Sequence, residues 1–77
     1  MKLTIYTSPT CGPCRQIKPL LFKAAVERDW EVDEWNIRER GLPDGVSAVP
    51  TVRVHNGEGS SYIQYVGTGM IKDALMI

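Results

Sequence analysis

Hydrophobic and polar residues alternate with two different periods along this chain, and the switches between those periods predict its elements. Residues 2–6 (Lys2-Leu3-Thr4-Ile5-Tyr6) alternate and are rich in Ile, Thr and Tyr, as a half-buried strand is. Residues 7–10 read as a loop containing Pro9. From about Pro13 to Arg28 the apolar residues Ile17, Leu20, Leu21, Ala24 and Ala25 recur at helical spacing. Pro13 suits the first turn, where its missing N–H is no loss, while Pro19 lies inside and should bend the helix. Trp30 to Ile37 read as a second strand. Arg38 to Ser47 contain two glycines and Pro43, which leaves room for at most a turn or two of helix. Thr51 to His55 predict a third strand, Asn56-Gly57-Glu58-Gly59 a turn, and Ser61 to Val66 a fourth strand. Gly67-Thr68-Gly69 breaks the pattern before a short final helix over Met70 to Ile77. No internal repeat, low-complexity tract or linker interrupts this order.

The order β-α-β followed by β-β-α places the chain in the α/β class, as one domain over residues 1–77. Strands 1 and 2, joined through a helix, should be parallel with a right-handed crossover, and strands 3 and 4, joined by a tight turn, antiparallel. This predicts a four-stranded mixed sheet with helices mainly on one face and the second helix shortened or absent. Alternation assigns Leu3, Ile5, Val52, Val54, Ile63 and Tyr65 to the face that receives the helices. Lys2, Thr4, Arg53, His55, Tyr62 and Gln64 fall on the other face, which should be only partly covered. A register slip of one residue would exchange the two faces.

Composition narrows the function. With 77 residues the core is thin, but 43% hydrophobic content argues against disorder. Nine Lys and Arg balance nine Asp and Glu, so no net basic field exists to hold nucleic acid or an anionic membrane. Polar residues interrupt the first nine positions too often for the apolar core of a signal peptide. No stretch approaches the roughly 20 apolar residues needed to cross a bilayer. The expectation is a cytoplasmic protein, in a compartment where cysteines are kept reduced and a disulfide is more often catalytic than structural.

The candidate chemistry lies in Cys11-Gly12-Pro13-Cys14, at the start of the first helix. Unpaired N–H groups and the positive end of the helix dipole stabilise a thiolate there, so the Cys11 pKa should fall below that of a free thiol. The thiolate is the attacking species in disulfide exchange. Two intervening residues bring the second sulfur within reach of the first. Cys11 would attack a substrate disulfide, and Cys14, deeper in the helix, would then attack Cys11 and release the reduced substrate. Pro13 stiffens the loop and Gly12 admits a substrate backbone.

Other readings of the pair compete with this one. A structural disulfide closing so short a loop contributes only roughly 2 kcal/mol in the chain-entropy model. Half a zinc site is a second reading, although zinc takes four ligands and the chain offers two cysteines and His55, unless two chains share a site. Two buried cysteines acting as small hydrophobes are a third.

The run Cys11-Gly12-Pro13-Cys14-Arg15-Gln16-Ile17-Lys18-Pro19 resembles the active-site segment of thioredoxins, including the helix-bending proline. Val49-Pro50-Thr51 resembles that family's cis-proline loop, and Val66-Gly67-Thr68-Gly69 its loop before the last helix. Together with the element order, these segments identify a thioredoxin/glutaredoxin-like chain of minimal size. The resemblance implies that Pro50 is cis and lies against the cysteine pair, although an ordinary trans proline at a strand start is the alternative. It also implies that the Val49 backbone pairs with an extended substrate, with Thr10, Gly67, Thr68 and Gly69 bordering the same groove.

The departures are informative. Thr10 stands where thioredoxins carry Trp. Ile5 stands at the position of their buried proton-transfer aspartate, and Glu34 at that of its lysine partner. Glu34 is thus either a substitute proton acceptor for Cys14 or a solvated strand carboxylate. The short first strand and Tyr6-Thr7-Ser8-Pro9-Thr10 resemble glutaredoxins, yet Ser8 replaces their usual basic residue and Thr68 splits their Gly-Gly pair. The combination is similar to small glutaredoxin-like proteins that a flavin-dependent thioredoxin reductase, rather than glutathione, recharges. Those proteins reduce disulfide-containing partners such as ribonucleotide reductase, with no bound cofactor or metal. An accessory binding module using the same groove is the non-enzymatic alternative. Arg15 either steers acidic partners or is a solvated helix residue. Trp30 and Trp35 are expected to pack beside the second strand, and Tyr6 near the cysteine pair.

Overall fold

A computed structural model describes residues 1–56 and 61–77. In chain order the elements are β1 (Lys2–Thr7), α1 (Gly12–Glu27), β2 (Glu31–Asn36), α2 (Ile37–Arg40), β3 (Thr51–His55), β4 (Tyr62–Val66) and α3 (Thr68–Leu75). The strands form one sheet in the order β2-β1-β3-β4. β1 pairs with β2 in parallel, and the β1–β3 and β3–β4 pairs are antiparallel. This is the four-stranded mixed sheet that the alternation predicts.

Register assigns the faces. Leu3 lies opposite Val54 and Ile5 opposite Val52. These residues meet Ile17, Leu21 and Ala25 of α1 and Ile71 and Leu75 of α3 in one buried cluster. Each fully buried Leu, Ile or Val side chain stabilises the fold by about 1.5–3 kcal/mol. Tyr65 packs at the margin of this cluster. Ile63, expected on the same face, is paired there with Val54 but remains 55% exposed. It sits on the outermost strand, outside the buried cluster that α1 and α3 form with the central strands.

α1 keeps its helical course through Pro19, which is exposed and leaves only the Arg15 carbonyl without its usual donor. The helix ends where Asp29 takes a left-handed conformation (φ 58°) and Trp30 N–H donates to the Ala25 carbonyl. The Arg28 guanidinium donates to the Leu75 carbonyl, joining the ends of α1 and α3.

The second face is covered differently. α2 is a single turn, capped by the Asn36 side chain, whose Oδ1 accepts from Arg38 N–H at 2.9 Å. That cap ends β2 one residue earlier than the hydrophobic pattern suggests. In place of a longer helix, arginines and aromatics stack across the sheet. Arg40 lies 3.8 Å over the Trp35 ring, and Trp35 meets Tyr6 at 5.7 Å. The Arg53 guanidinium lies over both Tyr6 (5.1 Å) and Tyr62 (4.4 Å). The irregular segment 41–50 completes the cover and buries Val46. Tyr6 is therefore buried on this face, away from α1, rather than beside the cysteines. The turn expected over Asn56-Gly57-Glu58-Gly59 lies, beyond Asn56, outside the described residues.

Candidate active site

Cys11 is the N-cap of α1, and its extended backbone (φ −87°, ψ 110°) turns the chain from the loop into the helix. It is disulfide-bonded to Cys14, with Cα atoms 5.3 Å apart. The two sulfurs are not equivalent. Cys14 is buried at 2% exposure, whereas Cys11 is half-buried. The Cys14 N–H donates to Cys11 Sγ at 3.2 Å, so an otherwise orphaned helix amide points at the outer sulfur. Around the pair, Cys11 N–H donates to the Ser8 carbonyl (3.1 Å) and the Arg15 guanidinium to the Pro9 carbonyl (3.0 Å). Arg15 thus fastens the approach loop. Gly12 and Pro13 are exposed, and a Cβ at Gly12 would meet nothing within 4 Å, so the flank of the pair is open.

Behind the pair lies a cleft of about 280 Å³ bordered by Thr7, Cys14, Arg15, Lys18, Glu34 and Asn36. Glu34 accepts from Lys18 Nζ at 3.0 Å and from the Thr7 hydroxyl at 3.2 Å, both at Oε2. The two charged side chains are 39% and 37% exposed, so water reaches this pair. The sequence singles out Glu34 but neither Thr7 nor Lys18. Only the fold brings them together: Lys18 follows Cys14 by one helical turn, and the β1–β2 register sets Glu34 opposite Ile5, on the face of α1. Ile5 itself is fully buried and contributes only packing.

The Val49–Pro50 peptide bond is cis and Pro50 is buried. The Pro50 carbonyl accepts from Gly67 N–H at 2.9 Å, and the Thr51 hydroxyl donates to the Ala48 carbonyl at 2.6 Å. Tyr6 lies opposite Thr51, and Thr51 opposite Val66. The loop after β1, Pro50 and Gly67 therefore all leave the sheet at the same end. Gly67 has φ 88°, a conformation glycine adopts without penalty. Thr68 and Gly69, expected in the loop before the last helix, are instead its first two residues. The single positive-φ residue at Gly67 suffices to redirect the chain into α3. Thr10 and Gly69 are exposed, and Val49, Gly67 and Thr68 are half-buried. Val66 (42% exposed), just before Gly67, and Met70 (54%), three residues after it, are exposed apolar residues at this end of the sheet.

His55 pairs with Lys2, at the end of β1 opposite Thr7. It is bonded to the Thr4 hydroxyl (3.1 Å) and stacked on Tyr62 (5.6 Å). Among the described residues, no group of three or more His, Cys, Asp or Glu could hold a metal ion. No helix there is long and apolar enough to cross a membrane.

A mixed sheet with a Cys-x-x-Cys disulfide at the first helix start defines a class, and comparison with known proteins agrees with it. Thioredoxin 1 of the thermophilic eubacterium Thermosipho africanus matches with a TM-score of 0.84 at 19% identity, covering 99% of this chain and 88% of that one. Oxidized thioredoxin O1 of Arabidopsis thaliana matches at 0.74 and 25% identity, covering 97% and 74%. Thioredoxin O2 of the same plant matches at 0.68 and 28%, covering 97% and 71%. A stretch of 34 residues, 44% of the chain, is 56% identical to NADPH-dependent thioredoxin reductase 3 of Arabidopsis thaliana, and spans only 5% of that protein. No protein-family model matches. The chain has the thioredoxin-like α/β fold, and its Cys11–Cys14 pair gives that fold a thiol–disulfide site.

Proposed function

We propose that this chain, acting as one domain over residues 1–77, is a thiol–disulfide oxidoreductase that reduces protein disulfides. The observation that carries this reading is the asymmetry of the pair: a half-buried Cys11 whose sulfur is faced by a helix amide, with a buried Cys14 behind it. In the reduced protein the same amide and the helix dipole favour the Cys11 thiolate. That thiolate attacks one sulfur of the substrate disulfide; the substrate S–S bond breaks and one substrate thiolate leaves. Cys14 then attacks Cys11 Sγ, the mixed disulfide breaks, and the second substrate thiolate leaves. Two electrons pass to the substrate, and the protein is left as the Cys11–Cys14 disulfide. The sulfurs carry the electrons themselves, so no bound cofactor or metal is required.

Cys14 must lose a proton before it attacks. Glu34 borders the same cleft and takes that proton through water, with Lys18 and Thr7 orienting its carboxylate. Gly12 and Pro13 flank the sulfurs. The Val49 backbone before cis-Pro50 pairs with the substrate chain, and Thr10, Gly67, Thr68 and Gly69 rim the groove. Reduction back to the dithiol falls to a flavin-dependent thioredoxin reductase in preference to glutathione. The 34-residue likeness to an NADPH-dependent thioredoxin reductase supports a place in such an electron chain. Disulfide-containing cytoplasmic proteins such as ribonucleotide reductase are the proposed substrates, with no role for nucleic acid or membrane.

Insulin reduction with dithiothreitol tests this reading. The wild-type chain should accelerate precipitation of the insulin B chain, and Cys11→Ser should return it to the uncatalysed rate. Equal rates for the two proteins would sink the proposal. Glu34→Gln should lengthen the lifetime of the mixed disulfide on the order of tenfold at pH 7, and less at higher pH where hydroxide takes the proton. An unchanged lifetime at pH 7 would remove Glu34 from the mechanism.

A further inference from the structure

We propose that Arg53 is a positioning residue for protein substrates, holding the segment before Pro50 so that the Val49 backbone is presented in a fixed place. This rests on the substrate-pairing role of Val49 proposed above.

Residues 41–50 form neither helix nor strand, yet they lead into cis-Pro50 at the end of the sheet where β1 runs into the cysteine loop. Within the segment, Val46 N–H donates to the Pro43 carbonyl at 3.1 Å, a single turn that orders little by itself. The remaining ties come from the sheet: the Trp35 indole N–H donates to the Gly41 carbonyl at 2.8 Å and the Thr51 hydroxyl to the Ala48 carbonyl at 2.6 Å, and between these two ends only one further pair of side chains among the described residues holds the segment. Arg53 Nη2 donates to the Asp44 carbonyl at 2.7 Å, and Gln64 Nε2 to the Gly45 carbonyl at 2.9 Å. Arg53 Nε donates to Gln64 Oε1 at 2.8 Å, so the two side chains act as one clamp on two successive carbonyls. The guanidinium is fixed in turn by Tyr6 and Tyr62. Gly45, at φ 86°, comes so close that a Cβ there would stand 3.2 Å from Arg53 Nη2. Directly after the clamp, Val46 is buried, and three residues further lies Val49.

Arginine is the residue this geometry requires. Its planar fork donates from Nε and Nη2 in different directions while stacking on aromatic rings, which an ammonium cannot do. A bond from a charged donor is also stronger than a neutral one. Released from the clamp, the segment would have to be ordered each time a substrate strand pairs with it, which weakens binding. A small disulfide needs only the sulfurs and is indifferent to Val49. The clamp should therefore separate protein substrates from small ones.

The test compares Arg53→Met, Arg53→Lys and Gln64→Met with wild type in the full chain. Readouts are kcat and KM for insulin, the rate with dithiobis(nitrobenzoate), and amide exchange over residues 44–49. For Arg53→Met, loss of the charged hydrogen bonds to the Asp44 carbonyl and to Gln64 should raise the insulin KM roughly five- to tenfold, with kcat and the small-disulfide rate within about twofold of wild type. Amides 46–49 should exchange faster. Arg53→Lys should fail to restore KM, and Gln64→Met should give the same pattern more weakly. Should Arg53→Met not fold, the Gln64→Met result decides. An insulin KM unchanged in a folded variant, or equal losses on both substrates, overturns the proposal. Failure of the oxidoreductase reading would look different: wild type itself would not reduce insulin.

Discussion

The two faces of the sheet are held by different physics. On one, Leu3, Ile5, Val52 and Val54 meet α1 and α3 in an aliphatic cluster whose strength scales with area and tolerates small shifts. On the other, a one-turn helix and an irregular segment are fastened by stacked guanidinium groups and side-chain bonds to carbonyls. Those contacts work only in a narrow range of distance and angle. In a chain this short, replacing a helix by an arginine–aromatic layer gives up apolar burial and gains directionality. The cysteine pair stands at the start of α1, the helix of the area-driven face. The segment leading to Pro50 is held on the bond-driven face.

Three substitutions probe this contrast, starting with the largest effect. Leu21→Ala, in the aliphatic cluster, should lower unfolding stability by about 2–5 kcal/mol in urea titration, independently of salt. A loss near zero would mean that the helical face is not the main source of stability. Tyr6→Leu keeps an apolar side chain but removes the ring from Trp35 and Arg53, and should lose about 1–2 kcal/mol by the same measurement. If Tyr6→Leu proved as damaging as Leu21→Ala, the two faces would not differ as described. Lys18→Met breaks a half-exposed ion pair and should change stability by no more than about 0.5–1 kcal/mol, with most of the change lost at high salt.

What could be read from sequence follows the same division. Period-two alternation is local and robust, so β1, β3 and the face of each residue follow from the pattern of apolar positions, and the helix between β1 and β2 implies their parallel pairing. The cysteine pair is legible because its spacing and helix-start position carry the chemistry together. The arginine–aromatic layer is not legible, because Arg53 meets Tyr6 only once β1 and β3 are in register. The Lys18–Glu34 pair likewise needs α1 laid over β2. The start of α3 was displaced because two glycines suggest a break, yet Gly69 is helical. Glycine weakens a helix by about 1 kcal/mol relative to alanine, and burial of Ile71 and Leu75 outweighs that. Ile63 escaped burial because alternation tells which face a residue takes, not how far a short helix extends over it.

The two tryptophans divide between the layers. Trp30 packs against the aliphatic cluster beneath Arg28, whereas Trp35 donates its indole N–H to the Gly41 carbonyl at 2.8 Å beneath Arg40. Each is thus an intrinsic optical reporter for its own layer. With Trp30→Phe in place, the emission of Trp35 alone would follow loosening of the arginine layer, and its quenching by iodide would time that event against global unfolding.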